Sequence, residues 1–239
     1  MNDRKIQREE LNQNGRLPSQ DDNLFQIFDP TSEYSVSYGH LPHWSQPGVT
    51  YFVTFRADDS IPASVSELWH RRRAEWLFHH GILVDDPTWR NRLRKLSLEK
   101  QLEFEKTFSC EFLSFLDRGY GSCPFKKPEI AAVVLEALQH FDGDRYVLGD
   151  AVIMPNHVHL LVCLLKETEI ETQCYSWKKF SATKINRLLN RTGRLWQSES
   201  FDHLVRSPEQ FDGFRKYIAN NPTVARLNTG EYLHFRRDA

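Results

Sequence analysis

No apolar run in this chain approaches the ~18 residues needed to cross a bilayer, and the start, Met1-Asn-Asp-Arg-Lys5, lacks the apolar stretch of a secretory signal. A cytoplasmic protein that meets no membrane is the expectation. Cysteine is scarce: Cys110, Cys123, Cys163 and Cys174 form no C-x-x-C pair and no zinc-knuckle spacing. That speaks for reduced thiols and against a disulfide framework, structural zinc or redox chemistry. An excess of one charge is also missing, since 31 Lys and Arg face 32 Asp and Glu for a net charge of −1. A protein basic all over is excluded, and no internal repeat is evident. What is present is ordinary globular composition, 239 residues with 40% hydrophobic and 26% charged side chains, enough for one large domain or two small ones.

The charge is unevenly placed. From Tyr175 to Arg194 there are six basic residues, Lys178, Lys179, Lys184, Arg187, Arg191 and Arg194, and no acid. That segment is +6, so the rest of the chain is −7, and such a concentration suggests one surface that faces a polyanion.

Residues up to about Asn23 are polar and carry too few large apolar groups to order themselves, so a mobile tail is expected. Val49 to Arg56 is β-branched and aromatic and predicts a buried strand. From Ile61 to Phe125 the pattern turns helical, and two long helices are expected there as an insertion, with Asp86-Pro87 as a helix start. Pro128 to His140 predicts an amphipathic helix ended by Gly143. Arg145–Met154 and His157–Leu165 flank the tight link Pro155-Asn156 and predict a hairpin. A basic helix follows, from about Ser176 to Asn190 and closed by Gly193, then a short strand, Phe201–Arg206. The capping box Ser207-Pro-Glu-Gln210 opens a last helix that should stop at Asn220 or Asn221, before Pro222.

This order is βαββαβ. The expected fold class is α+β: a ferredoxin-like antiparallel sheet with helices on one face, a helical insertion after the first strand, and a C-terminal helix. The chain divides into a polar tail over 1–40, a single domain over 41–227 with an insertion at about 61–125, and a C-terminal tail over 228–239.

Two constellations carry chemistry. In Met154-Pro-Asn-His-Val-His-Leu-Leu-Val162, strand alternation sends His157 and His159 to one face and Val158, Leu160 and Val162 to the other. Two imidazoles so placed can converge on a divalent metal; two histidines on an exposed sheet face would show the same spacing. Cys163 shares their parity but lies ~13 Å beyond His159, too far for a shared ion. In Phe214-Arg-Lys-Tyr217-Ile-Ala-Asn-Asn221-Pro222 the residues Phe211, Phe214 and Ile218 form a helical core stripe, and Tyr217 and Asn221 stack one turn apart beside it. A phenol next to a metal can serve as a nucleophile and an amide oxygen as a ligand; a boundary tyrosine and a capping asparagine are the alternative.

Together these segments resemble the REP-associated tyrosine transposases of the single-tyrosine HUH superfamily. The matching text is Pro42-His-Trp44 with Tyr51-Phe-Val-Thr-Phe-Arg56, Met154–Val162, and Leu195-Trp-Gln-Ser-Glu-Ser-Phe-Asp-His203 through Tyr217-Ile-Ala-Asn-Asn-Pro222. The resemblance covers about 41–57 and 128–227, and the segment 61–125 is longer than in minimal members. It implies an HUH transposase-like domain in which His157, His159 and Asn221 hold Mg²⁺ or Mn²⁺ and Tyr217 is the nucleophile. It further implies cleavage of single-stranded DNA near hairpins such as REP palindromes through a 5′-phosphotyrosine adduct, by a monomer or homodimer. Lys184, Arg187, Arg191 and Arg194, at i, i+3, i+7 and i+10, would then form a stripe along the DNA backbone, or a solvated face. Trp177 and Phe180 are expected in the core, and His203, just before the last helix, is a weaker candidate. A hairpin-binding protein that does not cut and a rolling-circle-type nickase are the competing readings.

Overall fold

The structure is a computed structural model that describes residues 24–38, 42–165 and 168–237. The expected tail up to Asn23 lies outside the described residues. Strands β1 (Ser35–Tyr38) and β2 (Pro42–Ser45) form a two-stranded antiparallel ribbon. The main sheet holds β3 (Thr50–Arg56), β4 (Tyr146–Ile153), β5 (His157–Leu164), β6 (Phe201–Leu204) and β7 (Leu233–Phe235), ordered β6-β3-β5-β4-β7 with every pair antiparallel. With α4 (Pro128–Gln139) and α5 (Ile170–Leu188) between them, β3, β4, β5 and β6 form the ferredoxin-like βαββαβ unit in spatial order four-one-three-two. The domain reaches past both boundaries drawn from sequence. Phe28 N donates to Val205 O at 2.8 Å, and β7, in the stretch assigned to a C-terminal tail, pairs with β4.

Strand alternation sorts the core into two layers. Tyr51, Val53, Phe55, Val158, Leu160 and Val162 pack under α4 and α5, whereas Phe52, Val152 and Leu161 face the last helix, α6 (Pro208–Val224). So α4 and α5 share one face as expected, and α6 covers the other. Covering both faces explains why the central strands are apolar at nearly every position: β4 and β5 are buried throughout.

Several local expectations differ in detail. The basic helix begins at Ile170, six residues early, and Asn190 rather than Gly193 closes it. Asn190 adopts φ 47°, its N–H reaches Arg187 O at 3.2 Å, and Arg191 N reaches Asn186 O at 2.9 Å, which is a Schellman end with asparagine in the left-handed position. Ser207 caps α6 as predicted, accepting from Gln210 N at 3.1 Å, but the Gln210 side chain reaches back to Arg206 N at 2.7 Å. That helix does not stop before Pro222. Proline there cannot bond the Ile218 carbonyl, and His234 Nε2 from β7 takes that oxygen instead at 3.1 Å.

The insertion holds two long helices, α1 (Ala63–His79) and α3 (Leu98–Leu116), with a short α2 (Trp89–Arg94) between them. Asp86 does not cap a helix at Pro87; its Oδ1 accepts from Thr88 N and Oγ1, and α2 starts at Trp89. Trp69 meets Phe108 while Trp76 meets Phe104, so α1 and α3 run antiparallel around an aromatic core. At the base, Ser122 N donates to Asp59 Oδ2 at 2.8 Å. Gly121 permits this closure, with φ +89° and no room for a Cβ, which would lie 2.5 Å from Asp59 O.

Candidate metal centre

The hairpin link sets the first histidine. Met154 N donates to His157 O at 2.8 Å across Pro155-Asn156, so His157 opens β5 and His159 follows on the same face. Their ring centroids are 4.5 Å apart, and both side chains are fully buried on the α6 side of the sheet. Each ring is held by its Nδ1. Asn156 donates Nδ2 to Tyr120 O at 2.9 Å, which turns its Oδ1 toward His157 Nδ1 at 2.7 Å. His157 therefore carries its proton on Nδ1 and presents a lone pair at Nε2. His159 Nδ1 lies 2.6 Å from the hydroxyl of Thr54, its ladder partner on β3. Such contacts orient imidazoles for ligation.

The other side of the cluster comes from α6 and from the insertion. Asn221, also buried, donates Nδ2 to Asp117 Oδ1 at 3.1 Å. Asp117 Oδ1 is 3.9 Å from His157 Nε2, and Asp117, His157 and His159 offer ligand atoms all within 4.8 Å of one another. His157 Nε2 and Asn221 Oδ1 are buried with no hydrogen-bond partner among the described residues. Two orphaned lone pairs beside a carboxylate are an arrangement that a cation would satisfy. The donors fit it: burial pushes His157 down to about 3, and burial together with His157 holds His159 well below the usual histidine range, so both are neutral as ligation requires. Burial raises the Asp117 carboxyl, and the Asn221 bond opposes that rise.

Tyr217 lies beside the pair, its hydroxyl 3.4 Å from His159 Nε2 and its ring edge-on to Phe52 at 5.8 Å. Phe52 stacks between His159 and Phe214, at 5.5 and 4.3 Å. The fold thus brings His157, His159, Asn221 and Tyr217 together from the hairpin and the last helix.

It does not bring the other candidates there. His203 pairs with Phe52 on β6 and contacts the Gln210 amide at 2.9 Å, at the start of α6. The basic residues belong to α5 and its exit, on the opposite face of the sheet. Because α5 ends at Leu188, Arg191 and Arg194 lie beyond it, and the four do not form one helical stripe. Lys184 Nζ is bound by both oxygens of Glu136 at 2.7 and 2.6 Å, Arg191 bonds Arg194 O at 2.9 Å, and Arg194 is 3.7 Å from Asp58. Trp177 is buried, with Nε1 on Tyr146 Oη at 2.9 Å, whereas Phe180 is exposed instead of in the core. Cys163 stays outside the cluster and contacts Gly48 O. Asp117 was missed by sequence reasoning; it closes α3 within the insertion, and no local signal marks it.

No family model matches the chain, and no curated protein does. Among solved structures it is similar to a REP-associated tyrosine transposase bound to a REP hairpin. The identity is 14%, over 81% of this chain and 73% of that one, with a TM-score of 0.38. No helix among the described residues is long and apolar enough to cross a membrane.

Proposed function

We propose that the protein is a metal-dependent single-stranded DNA endonuclease and strand transferase of the REP-associated tyrosine transposase type, acting near DNA hairpins. The observation that carries this reading is a tyrosine hydroxyl 3.4 Å from a neutral, buried histidine pair whose surroundings hold two orphaned lone pairs.

His157, His159 and Asn221 would hold the ion, with Asp117 orienting the Asn221 amide so that its oxygen faces the cluster. The amide and carboxylate oxygens are donors of the kind that Mg²⁺ or Mn²⁺ takes, and the two imidazoles favour Mn²⁺, the softer of the two ions. Such an ion, when bound, supplies Lewis-acid polarisation of a phosphate oxygen. Phe52 and His159 flank the Tyr217 ring and fix the direction of its oxygen. That oxygen, once deprotonated, attacks phosphorus. The bond from Tyr217 Oη to phosphorus forms, the bond from phosphorus to O3′ breaks, and O3′ leaves as a hydroxyl after taking a proton. The 5′-phosphotyrosine adduct keeps the energy of the phosphodiester for rejoining.

The test is a single strand bearing a hairpin, labelled on the 3′ side of the cut and incubated with Mn²⁺. Wild-type protein should carry the label through denaturing electrophoresis, and Tyr217→Phe should not. An adduct that persists in Tyr217→Phe overturns the assignment of the nucleophile. Hairpin binding with no adduct from wild-type protein assigns the chain instead to the hairpin-binding class that does not cut.

A further inference from the structure

Two histidines of one sheet row hold consecutive residues of α6. Pairing runs from Thr54 of β3 to His159 of β5, from His159 to Val152 of β4, and from Val152 to His234 of β7. Directly paired residues point to the same face, so His159 and His234 both face α6, two strands or about 10 Å apart. His159 Nε2 lies 3.4 Å from the hydroxyl of Tyr217, and His234 Nε2 donates to the carbonyl of the next residue, Ile218, at 3.1 Å. The first contact belongs to the metal centre. The second is used by no step of the chemistry.

That second contact falls at the weakest rung of the helix. A helical carbonyl is bonded by the N–H four residues on, and four beyond Ile218 stands Pro222, which has none. The missing rung spans the turn from Ile218 to Pro222, so Tyr217 lies just before it and Asn221 within it. Helices kink at proline, and a kink here would move Tyr217 relative both to Asn221 and to the sheet. His234 fills the rung from the sheet itself. A second tie lies on the other side of the tyrosine: Arg215 Nε donates to Asp150 Oδ2 at 2.9 Å, and Asp150 Oδ1 accepts from Arg237 N at 3.2 Å. Asp150 stands in the irregularity of β4 between Leu148 and Ala151, which turns its side chain toward α6. The ties at 215 and 218 bracket Tyr217, and both lead to the edge formed by β4 and the C-terminal segment.

We propose that His234 is a positioning residue for the reaction at Tyr217: by holding the Ile218 carbonyl it fixes the height and rotation of α6 and so aims the phenol oxygen at the histidine pair. The role rests on the function proposed above, whereas the placement of Tyr217 is a property of the fold. A bond to a carbonyl suits the task, because it sets the backbone and leaves the Tyr217 hydroxyl free to react. Strand β7 is only three residues long, and its middle residue makes this bond.

Two variants separate positioning from plain packing: His234→Ala removes the donor, and His234→Gln keeps an amide N–H at similar reach. In a single turnover with Mn²⁺ and saturating hairpin strand, adduct formation should slow about tenfold to a hundredfold in His234→Ala, the scale of a ~1 Å misplacement, while strand affinity stays within about twofold. His234→Gln should recover most of the rate. A second readout needs no activity. Protein labelled with 3-fluorotyrosine gives a fluorine resonance for Tyr217, identified by its loss in Tyr217→Phe, and its position reports the His159 and Phe52 rings beside it. That resonance should move toward the position of an exposed tyrosine in His234→Ala and return in His234→Gln. Should the alanine variant fail to fold, His234→Asn, whose amide stops short of the carbonyl, must show the same two changes. A resonance that stays in place in the folded alanine or asparagine variant, or a lost rate that His234→Gln leaves uncorrected, overturns the proposal. If wild-type protein forms no adduct, the nuclease reading falls by itself, and the fluorine resonance still decides whether His234 places Tyr217.

Discussion

Metal affinity at this centre should change little between pH 8 and pH 5. A histidine with the ordinary pKa near 6.5 is only about 3% neutral at pH 5, so two such ligands would lose about a thousandfold in apparent affinity over that interval. Here burial holds His157 at about 3 and His159 well below the usual range. At pH 5 only about 1% of His157 is protonated, and the histidines account for less than a twofold change. Asp117, raised by burial, supplies whatever slope remains, and Asp117→Asn should remove it. The sign for stability follows from the same shift. Because the folded-state pKa is depressed, the unfolded chain binds more protons between about pH 3 and 6.5, and stability falls as pH drops through that window. His157 alone should cost the metal-free protein about 2 kcal/mol between pH 6.5 and 4.5. Titration with Mn²⁺, followed by electron paramagnetic resonance of the free ion, reads the affinity; calorimetry in buffers of different ionisation enthalpy reads the protons released. A thousandfold loss of affinity by pH 5, with about two protons released per ion, would refute the buried, neutral pair.

Three further outcomes test the fold around the site. His234→Ala should destabilise by about 1–2 kcal/mol by leaving Ile218 O unpaired; Pro222→Ala in that background should recover part of the loss by restoring the helical N–H, so strict additivity in urea unfolding would contradict the account. Gly121→Ala should cost about 1–3 kcal/mol, because the residue is left-handed and its Cβ meets Asp59, and a neutral effect on the melting temperature would deny that the insertion is clasped at its base. Replacing Arg187 and Arg191 together by Ala should lower the salt slope of single-strand binding by about 1.4 if each neutralises one phosphate. Lys184, held by Glu136, should contribute less, and an unchanged slope in the double variant returns the segment to a solvated face.

The elements that sequence determined are those that short-range physics controls. Strand parity placed His157 and His159 on one face, because successive side chains alternate whatever packs above them. Pro128 and the Ser207 cap marked two helix starts, since φ restriction and the free N–H groups of a first turn act within four residues. The order βαββαβ followed from the run of apolar segments, and the pairing of the strands into the four-one-three-two order came from the structure. The passage of α6 through Pro222 was not legible, because the carbonyl that proline abandons is rescued by His234, 16 residues away. The orientation of Asn221 was not legible either: it depends on Asp117, 104 residues upstream and supplied by an insertion whose path has no local marker. Tertiary structure alone decided that α5 and α6 pack on opposite faces of the sheet and that the basic segment therefore falls on the face away from the histidines. Each of these depends on which faces meet across the sheet, and periodicity along one chain shows that a segment has an apolar face but not which surface will cover it.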